Sequence, residues 1–191
     1  MINYKKDIKK YYETLSDVLL KLDSEQINDA INTIVCAYEK GKTIYVFGNG
    51  GSSSTASHIV CDFNKGICSS LEKKFHVICL SDNVPMMTAI ANDISYDDVF
   101  EFPLVGRLNE GDVLLAISGS GNSKNVIKAV EYGKAHNAVI IGMTGYDGGK
   151  LFKLADYHLH APVNDMMKSE DIHLTFDHMI MTILTEALNN K

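Results

Sequence analysis

His58 and Asp62 stand four residues apart, just behind the run 48-GNGGSSS-54, in which every position is Gly, Asn or Ser. On a helix that spacing puts both side chains on one face. An imidazole beside a carboxylate can move a proton on and off a substrate, or can share a cation. Towards the C-terminus, 169-SEDIHLTFDH-178 offers a second such pair, Glu170 and His178. These two are eight residues apart, about 12 Å along a regular helix. They can join one ion with His58 and Asp62 only if Glu170 leaves the helix or a second chain contributes. The small-residue run supplies a place for the substrate, since its backbone can approach a ligand closely and its hydroxyls and free amides suit an anion. A second run of the same kind, 118-SGSGNS-123, lies further on. Neither has the lysine of a P-loop, and Ser53 stands where a dinucleotide fingerprint takes its third glycine. Many neutral donors without lysine or arginine suit a phosphomonoester, so a sugar phosphate is the expected ligand.

Both runs follow short apolar segments and precede helical sequence. The segments 43–47, 75–80, 112–117 and 138–143 are continuous rather than alternating, as strands covered on both faces of a parallel sheet should be. A weaker fifth strand, Tyr157–His160, ends before Pro162. Helices are expected over 52–63, 85–92 and 123–136. Ahead of them the apolar positions Tyr11, Leu15, Val18 and Leu19 predict a first helix over 4–21. Asp23 followed by Gln26 opens a second as a loose capping box, which Gly41 ends. Asp171–Leu188 is a long amphipathic segment. The expected architecture is one α/β domain over 1–191, with a doubly wound parallel sheet in 42–191 and a helical hairpin in 1–41. In such sheets ligands bind beyond the carboxyl ends of the strands, where both small-residue loops fall.

Composition narrows the function. A net charge of -6 with a single arginine, Arg107, argues against nucleic acid. No apolar run approaches the ~20 residues of a membrane span. MINYKKDIKKYY has no apolar stretch behind its lysines, so a cytoplasmic location is expected. Cys36 and Cys79 lie in apolar runs and are expected as buried thiols rather than bridges or ligands. His173 is expected to pack or hydrogen-bond within the last helix, without a catalytic role.

GNGGSSSTASH, TAIANDISYDDVF, ISGSGNSKNVIKA and GMTGYDGGKL resemble, in order and spacing, the sugar isomerase (SIS) domain of the phosphoheptose isomerases. The resemblance implies a flavodoxin-like sheet, a homotetramer, and conversion of sedoheptulose 7-phosphate into a glycero-manno-heptose 7-phosphate for surface glycans. It implies that Asn49, Gly50, Ser52, Ser118, Ser120 and Ser123 surround phosphate and sugar hydroxyls, with Asn92, Asp93 and Glu170 beside the sugar. Asp62 falls at the base position, where glutamate is usual, and His178 at the acid position. His58, Asp62, Glu170 and His178 would form the zinc set found in some members. Glu170 replaces a usual glutamine and Gly119 a usual threonine. An Asp62 from one chain facing a His178 from its neighbour is the expected shared site of the tetramer. The alternative is a non-catalytic SIS protein that binds a sugar phosphate or a protein partner, such as the replication-initiator-binding type. The retained Asp62 and His178 favour the enzyme.

Overall fold

The computed structural model describes residues 2–189. Five strands, β1 (Thr43–Gly48), β2 (His76–Cys79), β3 (Val113–Ser118), β4 (Val139–Thr144) and β5 (Tyr157–His160), pair in parallel in the order β2-β1-β3-β4-β5. This is the flavodoxin-like order, and the chain reverses its direction of winding between β1 and β3. Gly48 pairs with Ile117, so the segments leaving these two strands emerge side by side.

Strand residues alternate between two apolar layers, as the pleat requires. Ile44 and Val46 face one layer, with Ile34, Ile59, Ile172 and Phe176. Tyr45 and Phe47 face the other, with Phe100, Leu104, Val126 and Leu151. Burying a side chain such as Phe176 contributes roughly 1.5–3 kcal/mol. The first layer is covered by helices α2 (Ser24–Glu39), α3 (Gly51–Cys61) and α7 (Met166–Asn189), the second by α4 (Val84–Asp93), α5 (Lys124–Ala135) and α6 (Gly149–Leu154). Asp23 caps α2, accepting from the amides of Glu25 and Gln26. Gly41 follows it at φ +64°, left-handed as such a helix end needs. Ahead of these, α1 (Lys5–Leu19) buries no residue completely; Leu15, Val18 and Leu19 only lean on the core.

Four expectations change. The last helix begins at Met166, five residues before Asp171. β2 is an edge strand whose residues alternate exposed and buried, so only one of its faces is covered. Cys36 is exposed, because the sheet-facing positions of α2 are Ala30, Ile34 and Ala37. The six-residue α6 was not expected at all.

Candidate active site

The first loop turns on glycines. A Cβ on Gly48 would sit 2.6 Å from the Cβ of Ser52 and 2.8 Å from the carbonyl oxygen of Ile117, so only glycine lets α3 start this close to the sheet. Gly50 has φ +54° and ψ -121°, a conformation that side chains avoid. Ser52 is buried on the first turn of α3. In the second loop Ser118 and Ser123 approach within 3.1 Å, oxygen to oxygen, and Ser120 accepts from the amide of Asn122. Neither α3 nor α5 has a side-chain cap at its N-terminus, whereas α2 and α4 are capped by Asp23 and Asn83. The helices beginning at the two loops therefore keep amide donors available for an anion.

Side chains tie the loops together. Asn49 and Asn125 exchange two amide hydrogen bonds of 2.8 Å each, and the Tyr96 hydroxyl donates to Asn49 Oδ1 at 2.7 Å. Asn125 and Tyr96 were not singled out in the sequence, because their roles depend on contacts 76 and 47 residues away. Asn92 and Asp93 end α4, where the Asn92 amide donates to the Asp93 carboxylate at 2.7 Å, three residues before Tyr96.

Behind the first loop, one atom each from His58, Asp62, Asp177 and His178 gather within 4.8 Å of one another, an arrangement able to hold a metal ion. His58 Nε2 lies 3.1 Å from His178 Nε2, 3.6 Å from Asp62 Oδ2 and 3.9 Å from Asp177 Oδ2. Asp62 and His178, expected to face each other across an interface, thus lie in one cluster within a single chain. Asp62 also opens a π-helical turn, Asp62–Gly66, in which the amide of Ile67 reaches back to the Asp62 carbonyl. Glu170 is not among the four. It lies inside the regular α7, and a Cβ on Gly51 would meet its carboxylate oxygens at 2.5 and 2.6 Å. Its side chain therefore faces the start of α3 instead, and Asp177, absent from the sequence expectation, takes the fourth place.

Asp177 is 1% exposed, and neither of its oxygens finds a hydrogen-bond donor among the described residues. Burial, with the Asp62 charge nearby, pushes its carboxyl up to about 7, against a smaller opposing pull from His58. His173 is structural as expected: it is buried and its Nε2 donates to the Thr144 carbonyl at 3.0 Å. A cleft of about 600 Å³ lined by Ser53, Ser54, Ser57, His58, Ser81 and Asp82 opens beside the cluster. A larger one of about 820 Å³ lies at the amino ends of the strands, near Cys36, Lys40 and Lys42. The site is assigned by its donors and not by the size of the hollow.

Residues 7–145 match the family model described as SIS domain. The chain is 37% identical over 180 residues to a "Probable phosphoheptose isomerase" of Thermoplasma acidophilum, covering 94% of this chain and 98% of that protein. It is 33% identical to the phosphoheptose isomerase of Aliarcobacter butzleri, covering 97% of each. The solved structure of a phosphoheptose isomerase from Francisella tularensis superposes with a TM-score of 0.90 at 25% identity, over 97% of this chain and all of that one.

Proposed function

The chain belongs to the SIS domain family, and from that premise we propose that it is a phosphoheptose isomerase, interconverting sedoheptulose 7-phosphate and glycero-manno-heptose 7-phosphate. The observation that carries the reading is the coupling of two uncapped serine loops, locked by the Asn49–Asn125 pair, to an imidazole–carboxylate cluster that follows the first loop and is completed from α7. The phosphate is received by the hydroxyls of Ser52, Ser118, Ser120 and Ser123 and by the amides opening α3 and α5. A helix N-terminus contributes up to ~2 kcal/mol towards an anion in favourable geometry, which removes the need for lysine or arginine. Asn49, Gly50, Asn92, Asp93 and Glu170 are the proposed partners of the sugar hydroxyls.

With the phosphate anchored, the reacting end of the open-chain sugar lies against Asp62 and His178. Asp62 takes the proton from C1 of the ketose while His178 protonates the C2 oxygen, giving an enediol. His178 then removes the proton from the C1 hydroxyl oxygen and Asp62 returns its proton to C2, leaving the aldose. A zinc ion fits the same place: the unpartnered Asp177 carboxylate and the two imidazole nitrogens 3.1 Å apart call for a cation. His58, Asp62 and His178 would hold it, and in that state Lewis-acid polarisation of the sugar oxygens would stand in for the proton that a ligated His178 could no longer donate through that nitrogen.

Association into a homotetramer is proposed from α1, where Ile8 is 52% and Tyr12 65% exposed. The four cysteines are all free, which supports a cytoplasmic setting. The test is a coupled assay on sedoheptulose 7-phosphate. Asp62→Asn and His178→Ala should each lower kcat by at least ~100-fold. Tight binding of the sugar phosphate with no turnover would replace the enzyme by a non-catalytic sensor.

A further inference from the structure

Acid–base isomerisation by Asp62 and His178 leaves two members of the cluster, His58 and Asp177, without a task. Asp177 is buried at 1% exposure, and both of its oxygens lack a donor among the described residues. A buried carboxylate is retained only where something satisfies it. What faces it is not a donor but the ligand atoms of His58, Asp62 and His178.

We propose that Asp177 is a direct ligand of a divalent cation, completing a set of two imidazole nitrogens and two carboxylate oxygens, and that Glu170 stands outside that set. The distances suit it. Bonds of about 2.0–2.1 Å in a tetrahedral zinc site put neighbouring ligand atoms about 3.4 Å apart. The separations from His58 Nε2 to His178, Asp62 and Asp177 are 3.1, 3.6 and 3.9 Å, and the four ligand atoms all lie within 4.8 Å of one another, so side-chain shifts of up to about 1.4 Å close the shell. The charges suit it too, since two carboxylates with two neutral imidazoles leave a double negative charge that a divalent cation cancels.

Helix geometry separates the two acidic residues of α7. Asp177 and His178 are consecutive, about 100° apart around the axis, and each brings a ligand atom to the cluster with His58 and Asp62. Glu170 is seven residues earlier, about 10.5 Å back along the axis, with its carboxylate against Gly51 at the opening of the first loop. Where sequence alone gave Glu170 as the fourth ligand, the structure assigns that place to Asp177 and leaves Glu170 facing the side from which substrate enters. The inference concerns the site of the isomerase reading but does not need turnover to be tested.

Chelator-stripped protein is titrated with zinc by calorimetry and with cobalt(II) by visible absorption, using the parent chain, Asp177→Asn and Glu170→Gln. The expected result is one ion per parent chain. Asp177→Asn should bind at least ~10-fold more weakly, the lower bound seen even for outer-shell changes, and should lose intensity in the cobalt bands. Glu170→Gln should stay within about threefold of the parent, below that same tenfold bound. Circular dichroism confirms folding, and Asp177→Ser replaces Asp177→Asn should the latter fail to fold. No ion on the parent chain, or affinity lost in Glu170→Gln and kept in Asp177→Asn, overturns the proposal. Zinc binding of the expected pattern in a protein that turns over no heptose phosphate overturns the isomerase reading alone.

Discussion

His173 and Asp177 lie one helical turn apart on α7, and burial moves them in opposite directions, the imidazole down and the carboxyl up. For His173 the value falls to about 4, mainly through burial, with the bond to the Thr144 carbonyl opposing it and His160 reinforcing it. The unfolded chain binds a proton near pH 6.5 and the folded one refuses it until about 4, so stability is complete above 6.5 and drains away as pH falls. At ~1.4 kcal/mol per unit the loss is about 3 kcal/mol. His158 and His160, also lowered by burial, act in the same sense. Urea unfolding of chelated protein at pH 7.5 and 4.5 should show a clearly smaller loss for His173→Gln than for the parent; an equal loss would assign the pH dependence elsewhere. At this scale the sequence was a fair guide to side chains whose type carries meaning. His58 and Asp62 were legible because an imidazole and a carboxylate behind a glycine–serine loop are unusual, and His178 through the family resemblance. Asp177 was not, since an aspartate beside a histidine on an amphipathic helix looks solvated, and burial is a property of the packed chain.

The elements were legible to within a few residues wherever apolar period and turn chemistry agreed, as in β1, β3 and the Asp23-capped α2. They were not where glycine obscured a short helix, as in α6, or where tertiary packing extended one, as at the start of α7. That extension has a use. Met166, the first residue of α7, lies over the second serine loop, and a Cβ on Gly119 would come within 2.7 Å of its sulfur. A side chain at position 119 therefore requires Met166 to shift. Gly119→Thr should cost about 1–3 kcal/mol as an overpacked site and weaken phosphate binding, and adding Met166→Ala should recover most of both. Thermal melting with isothermal titration of the sugar phosphate checks this; a single variant as stable and as tight-binding as the parent would mean Met166 moves aside freely.

For the molecule as a whole, the strand order β2-β1-β3-β4-β5 puts the two loops at the reversal of winding, and α7 brings Asp177 and His178 to His58 and Asp62 within one chain. Inactive Asp62→Asn and His178→Ala chains, mixed and reassembled, should therefore stay inactive, because every site carries one lesion. Recovery of activity in hybrids verified by mass spectrometry would mean that the working cluster is built between chains. Sequence did not foresee that α7 would bring His178 into the cluster of its own chain, since the path of a last helix across a sheet is a matter of packing and not of local pattern.

The π-helical turn at Asp62–Gly66 bears on descent. An α-helix that gains or loses a residue rotates everything beyond it by about 100°, whereas a π turn holds the extra residue in one place. His58 precedes that turn and Asp62 opens it; Phe63 and Ile67, within and just beyond it, belong to the core. Chain length at this point therefore counts as much as residue identity: a chain that dropped one residue between 62 and 66 would have to give up either the placing of His58 and Asp62 or the packing beneath them.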